Sequence, residues 1–248
     1  MPVVSVPAHT DERLILDRWE STAGNPDREA AAEKERILPA NQSSGQSGYV
    51  YEWYPVYFFM SDVTATPALR ISDIIGLFNQ LFLVTENTCL VAGDEEPVYL
   101  PAGDQHPHHR LIFAHGFYES ALHEISHWCI AGKERRQLVD FGYWYEPDGR
   151  SAAQQRAFEQ VEVRPQAVEW LLSVACGRRF FVSTDNLSGD PQAVEAGLTR
   201  FRQAVGKQAQ WYLQNGLPAR AEVLKNALLD YYQRHTEFGA YEFAPEKI

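Results

Sequence analysis

Residues 123–127 read His-Glu-Ile-Ser-His, and this string constrains the chain more than any other segment. An α-helix turns about 100° per residue, so positions four apart share a face, roughly 6 Å apart along the axis. On a helix, His123 and His127 can turn both imidazoles towards one metal ion, with Glu124 beside it. The flanks suit one complete helix, with Ser120 as the expected N-cap and Gly132 as a left-handed C-cap. Leu122, Ile125 and Cys129 fall on a different face and suit the core. Cys129 lies about 200° around the helix from His127, which makes it a poor third ligand.

Two histidines hold a metal loosely, and a third protein ligand is expected. The next helical stretch, 153–176, offers Glu159, Glu162 and Glu169, which can share a broad face. Glu162 is favoured because it lies between Val161 and Val163, where an unpaired carboxylate would be costly, and Pro165 follows closely. Glu159 is the reserve. His106, His108 and His109 occupy a Pro/Gly-rich loop and read as solvated, whereas His115 could line the site. Lys133, Arg135 and Arg136 form a basic cluster suited to the helix dipole or to an acidic partner.

The rest of the chain supplies a scaffold. Its 248 residues, 45% hydrophobic, suffice for one substantial core. With 22 basic and 33 acidic residues the net charge is −11, which argues against nucleic acid and against an anionic membrane as partner. Three widely spaced cysteines without a CxxC pair read as reduced thiols, and no leader or membrane-span pattern is seen, so a cytoplasmic location is expected. Residues 1–70 read as an N-terminal extension, partly disordered or loosely packed, and 71–248 as a single domain. Within that domain, Ser72-Asp73 can cap a helix carrying Ile74, Phe78 and Phe82. Strands are expected at Thr88–Val91, Val98–Leu100, Leu111–Phe113 and Phe180–Ser183. Pro165 should kink the 153–176 helix or start a second one, a long helix should follow from Pro191, and a last helix from Pro218 should bury Val223. The fold class is α+β, mostly helical with a small sheet.

Two chemistries fit such a site. With zinc, Glu124 would activate a bound water and the outcome would be peptide hydrolysis, as in gluzincin metallopeptidases. With iron(II), two histidines and one carboxylate match the facial arrangement of non-haem oxygenases. Spacing alone favours the peptidase.

Longer stretches change the balance. Gly93–Ala102, His109–Gly132, Leu138–Tyr145, Pro147–Arg150, Val161–Ala167 and Asp185–Asp190 together closely resemble the bacterial elongation factor P hydroxylase family, over about residues 72–235. The resemblance implies hydroxylation of a β-lysylated lysine on elongation factor P, dependent on dioxygen and on iron(II), with zinc or another divalent metal as the alternative occupant. It implies His123, His127 and Glu162 as metal ligands and Glu124 as a catalytic group managing protons. It also implies a fold unlike the double-stranded β-helix hydroxylases, with the HExxH helix in a zincin-like helical setting. A cationic lysyl-lysine side chain needs acidic or aromatic walls, for which Asp140, Tyr143, Asp148, Asp185 and Asn186 are the candidates. Because an acidic enzyme would meet an acidic partner, docking would rest on local patches such as Lys133–Arg136.

Overall fold

The computed structural model describes residues 69–142, 150–184 and 191–248. The expectations for the extension, and for Tyr143, Asp148, Asp185 and Asn186, lie outside those residues. Six α-helices and one small sheet make up the described architecture: α1 (Ile71–Phe82), β1 (Thr88–Ala92), β2 (Val98–Leu100), β3 (His109–Phe113), α2 (Tyr118–Ile130), α3 (Ala152–Cys176), α4 (Pro191–Asn215), α5 (Ala219–Tyr231) and α6 (His235–Ala240). This is the expected mostly helical α+β class. No described helix is long and apolar enough to cross a membrane.

The apolar spacing of α1 buries Ile74, Phe78 and Phe82, and the two phenylalanine rings meet Trp128 of α2 edge-on. Its start differs from expectation. Arg70 occupies the N-cap position, and Ser72 and Asp73 lie inside the first turn, where the Asp73 carboxylate suits the helix dipole. The three strands match the sequence reading closely. They run in the order β1-β3-β2, with β3 central, parallel to β1 and antiparallel to β2. The amide N–H of Leu90 donates to Asn79 Oδ1 on α1 at 2.8 Å, so the helix covers part of the outer edge of β1.

Strand β3 leads through a 3-10 turn, Ala114–Gly116, into α2. His115 and Gly116 both take left-handed backbone (φ 53° and 64°), which reverses the chain there. Helix α2 begins two residues before Ser120, whose hydroxyl instead accepts the Ala114 N–H at 3.0 Å and stitches the turn to the helix. Gly132 is not a left-handed cap either, because the helix closes at Ala131 in extended backbone.

Helix α3 is the spine of the domain. A capping box opens it, with Ser151 Oγ accepting the Gln154 N–H and Gln154 Oε1 accepting the Ser151 N–H. The helix runs unbroken through Pro165 to left-handed Gly177 (φ 76°). An interior proline costs a helix about 3 kcal/mol; here the stretch from Pro165 to Cys176 is buried on every side, packed by α2, α4 and α5, and that burial offsets the loss. The expected strand at Phe180–Ser183 is absent. That segment is irregular, and Ser183 pairs with the side chain of Gln166 rather than with a strand. In α5, Ala221, Leu224 and Leu228 face the core while Val223, one step round, is exposed, and the short α6 follows it.

His106 is exposed, as expected, but the other two loop histidines are structural. His108 Nδ1 meets Asn87 Oδ1 at 2.7 Å, and His109 Nδ1 accepts the Ala102 N–H at 2.9 Å. Burial, reinforced by Arg136 and His108, lowers the pKa of His109. A lowered pKa means the unfolded chain binds this proton more tightly, so the contribution to stability is present above the unfolded value of about 6.5 and declines as pH falls through it. An NMR titration should show His109 titrating below that value, with the Ala102 amide resonance moving in step. A normal His109 titration with a static Ala102 amide would contradict this account.

Candidate metal centre

Helix α2 presents His123 and His127 one turn apart, with Leu122, Ile125 and Cys129 buried on its other side. Helix α3 packs against α2 and brings Glu162 opposite the two rings. Among the described residues, these three side chains form the group whose donor atoms converge, all within 4.8 Å of one another. His123 Nε2 and His127 Nε2 are 3.2 Å apart. Glu162 lies 3.3 Å from His127 Nε2 through Oε1 and 3.8 Å from His123 Nε2 through Oε2. Donors bonded to one cation at about 2.1 Å stand roughly 3.0–3.4 Å from each other, so the spacing suits a single metal ion.

The electrostatics agree. His123 Nδ1 lies 2.8 Å from Glu169 Oε2, and because a carboxylate only accepts, Nδ1 carries the proton and donates. That leaves the Nε2 lone pair of His123 facing His127 Nε2, a repulsive arrangement unless a cation or proton lies between them. Burial opposes charge on His123, but Glu169, Glu162 and Glu124 outweigh it and hold its pKa well above the ordinary value. Burial likewise opposes charge on Glu162, yet His127 and His123, with help from Gln166, pull its pKa down to about 2. Glu162 and Glu169 are only 5% and 8% exposed. Two buried carboxylates against two imidazoles ask for positive charge between them.

Glu124 is half-buried beside the group. Burial raises its pKa, as do Asp140 and Glu162, against the pull of His123 and His127. Glu159 sits outside the cluster, where its Oε1 accepts from Gln155 Nε2. His115 is exposed, its ring beside Phe117. Asp140 lies close enough to influence Glu124, while its Oδ1 accepts the Tyr99 N–H at 2.8 Å. Asp140, Phe141 and Gly142 all take left-handed backbone (φ 47°, 60° and 70°). For a phenylalanine this is strained, and Phe141 is held there by stacking on Tyr99 at 4.3 Å and by Arg135 donating to its carbonyl.

The basic cluster after α2 is not a free patch. Arg136 pairs with Glu86 at 2.6 Å and Arg135 holds the Phe141 carbonyl, leaving Lys133 as its exposed member. The end of α2 is served instead from α5. Arg220 Nη2 donates to the carbonyls of Trp128, Cys129 and Ala131 at 2.7, 3.2 and 2.6 Å. Sequence reasoning missed Arg220 and also the Gln166 contact. No local signal marks Arg220, but the four-residue spacing of Gln166 from Glu162 was there to be read.

The model of the elongation factor P hydroxylase family matches residues 77–243, a span that contains the whole cluster. A curated relative, the elongation factor P lysine hydroxylase of Haemophilus influenzae, is 53% identical over 174 residues, covering 70% of this chain and 96% of the relative. The chain belongs to the elongation factor P hydroxylase family. Nothing in the family or that relative supports the peptidase reading. The helix that bears His123 and His127 and the helix that bears Glu162 both lie wholly within the family match.

Proposed function

We propose that the protein is a hydroxylase of elongation factor P, acting on its β-lysylated lysine through a non-haem metal centre held by His123, His127 and Glu162. The observation that carries the metal assignment is the convergence of two imidazoles and a buried carboxylate at ligand spacing, in a chain of this family. The HExxH helix and the glutamate on the following helix give a zincin-like layout of donors. Iron(II) bound there would supply the activation of dioxygen, which no protein side chain can provide.

The chain's own residues have separate tasks. His123 keeps Nε2 available because Glu169 holds the proton on Nδ1. Glu162 places its charge between the two rings, and Gln166 steadies it. Glu124, half-buried next to the cluster, is the group that holds or passes protons during the reaction. Asp140 is placed near Glu124 and serves one wall of the slot for the cationic side chain. Tyr143, Asp148, Asp185 and Asn186, outside the described residues, are the sequence's further candidates to bind that side chain.

The test is intact-mass spectrometry of lysylated elongation factor P incubated with the protein, iron(II) and air. A gain of one oxygen, about 16 Da, that vanishes with His123→Ala is expected. A factor of unchanged mass, with the wild-type protein loaded with iron, would overturn the reading.

A further inference from the structure

The carboxamide of Gln166 is 1% exposed, and both of its N–H bonds and its oxygen are engaged. Nε2 donates to the Ser183 carbonyl at 2.7 Å, and Oε1 accepts the Ser183 N–H at 3.0 Å. These two bonds fix which end of the amide is nitrogen, because the reversed orientation would set donor against donor and acceptor against acceptor. The remaining N–H then points at Glu162 Oε2, 3.3 Å away, and a carboxylate can only accept. Gln166 lies one turn along α3 from Glu162, so the same helix carries the acid and the group that holds it. The chain at Thr184 is fixed separately, its carbonyl accepting from Gln155 Nε2 at 3.0 Å and from Arg150 Nη2 at 3.3 Å.

We propose that Gln166 is a positioning residue for the carboxylate of Glu162, registering it against the backbone of Ser183. The inference rests on the metal-centre reading above. The terminal torsion of a glutamate is broad, so an unheld carboxylate samples orientations in which neither oxygen faces the histidines. A buried amide hydrogen bond restricts that rotation before any metal arrives. The energy comes from preorganisation, and it is drawn from a segment, Ser183-Thr184, that leads directly to the Asp185-Asn186 stretch assigned to substrate. Outer partners of this kind commonly contribute about 10- to 100-fold to metal affinity.

The test uses cobalt(II), whose visible absorption reports both affinity and ligand geometry, titrated into the full chain. Gln166→Ala and the volume-conserving Gln166→Met are compared with Gln155→Ala, which loses one of the two bonds to the Thr184 carbonyl without touching Glu162. Both Gln166 variants are expected to bind cobalt about 10-fold or more weakly, with altered bands, while Gln155→Ala stays near wild type. Thermal melting of the metal-free proteins separates loss of fold from loss of ligand order. Wild-type affinity and bands in a folded Gln166 variant would overturn the positioning role and leave the metal centre standing. Equal weakening in Gln155→Ala would also overturn it, by tracing the effect to the segment rather than to the carboxylate. A wild-type protein that takes up no cobalt would overturn the metal-centre reading, and this role with it.

Discussion

Glu162→Gln is expected to strip the protein of its metal and to reduce hydroxylation to background while leaving the fold intact. The substitution keeps the volume of a side chain that is 5% exposed, so it opens no cavity. The new carboxamide can still accept from Gln166 through its oxygen, which preserves the bond to that residue. What disappears is the negative charge between His123 and His127, the only charge contributed to the donor set itself. A neutral amide is a poor ligand for a divalent cation, so affinity should fall by at least about 100-fold. Metal content after desalting and product mass would be measured together with the circular dichroism spectrum. Glu159→Gln is the comparison, because Glu159 was the sequence's reserve candidate yet lies outside the converging group and bonds Gln155. It should retain metal and activity. A Glu162→Gln protein that holds its metal and still hydroxylates would remove this residue from the ligand set.

The choice between these two glutamates shows what the sequence could and could not carry. Both sit on the same helix and differ by three residues, so periodicity alone leaves them on one broad face. The deciding hint was local: Glu162 lies between two valines, and a charge in apolar company needs a partner. The strands were equally legible, since short β-branched runs bounded by turn residues give boundaries within a residue or two of those observed. Helix α3 was harder. Its second half is buried all round, so it has no polar face from which to read a stripe, and Pro165 argues locally for a break that tertiary packing overrides. The Ser151–Gln154 capping box was a readable start signal that the periodicity argument passed over.

Long-range partners were not legible at all. Phe180–Ser183 has strand composition, but its last residue, Ser183, pairs through its backbone with a side chain 17 positions earlier, and nothing in the segment says so. Lys133, Arg135 and Arg136 looked like the natural cations for the end of α2 because they follow it in sequence. Proximity in sequence gave the right need and the wrong residues. Arg135 and Arg136 turn to Phe141 and Glu86, and the cation comes from α5, about 90 positions later.

Arg220→Ala should accordingly be among the most destabilising single changes in the domain. The guanidinium donates to three carbonyls at the end of α2, where the last turn has no helical partners of its own. It also lies over Trp128, 4.6 Å from the ring centre, and within 4.0 Å of Glu86. With its side chain only 16% exposed, water cannot readily take over these carbonyls once the arginine is gone. Charged hydrogen bonds to buried acceptors, a cation–π contact and the helix dipole together suggest a loss of about 3 kcal/mol. In a domain of this size that corresponds to a fall in Tm of roughly 6–12 °C. Arg220→Lys keeps the charge and a nitrogen with three donors, but it loses the planar guanidinium over Trp128 and the second nitrogen that faces Glu86, so it should recover only part of the loss. Thermal and denaturant melts of the metal-free chain would measure both. A cost near zero for Arg220→Ala would mean that α2 closes without it. The same helix carries His127 one turn before its end, so fraying from Ala131 inward would reach the candidate metal centre first from this side.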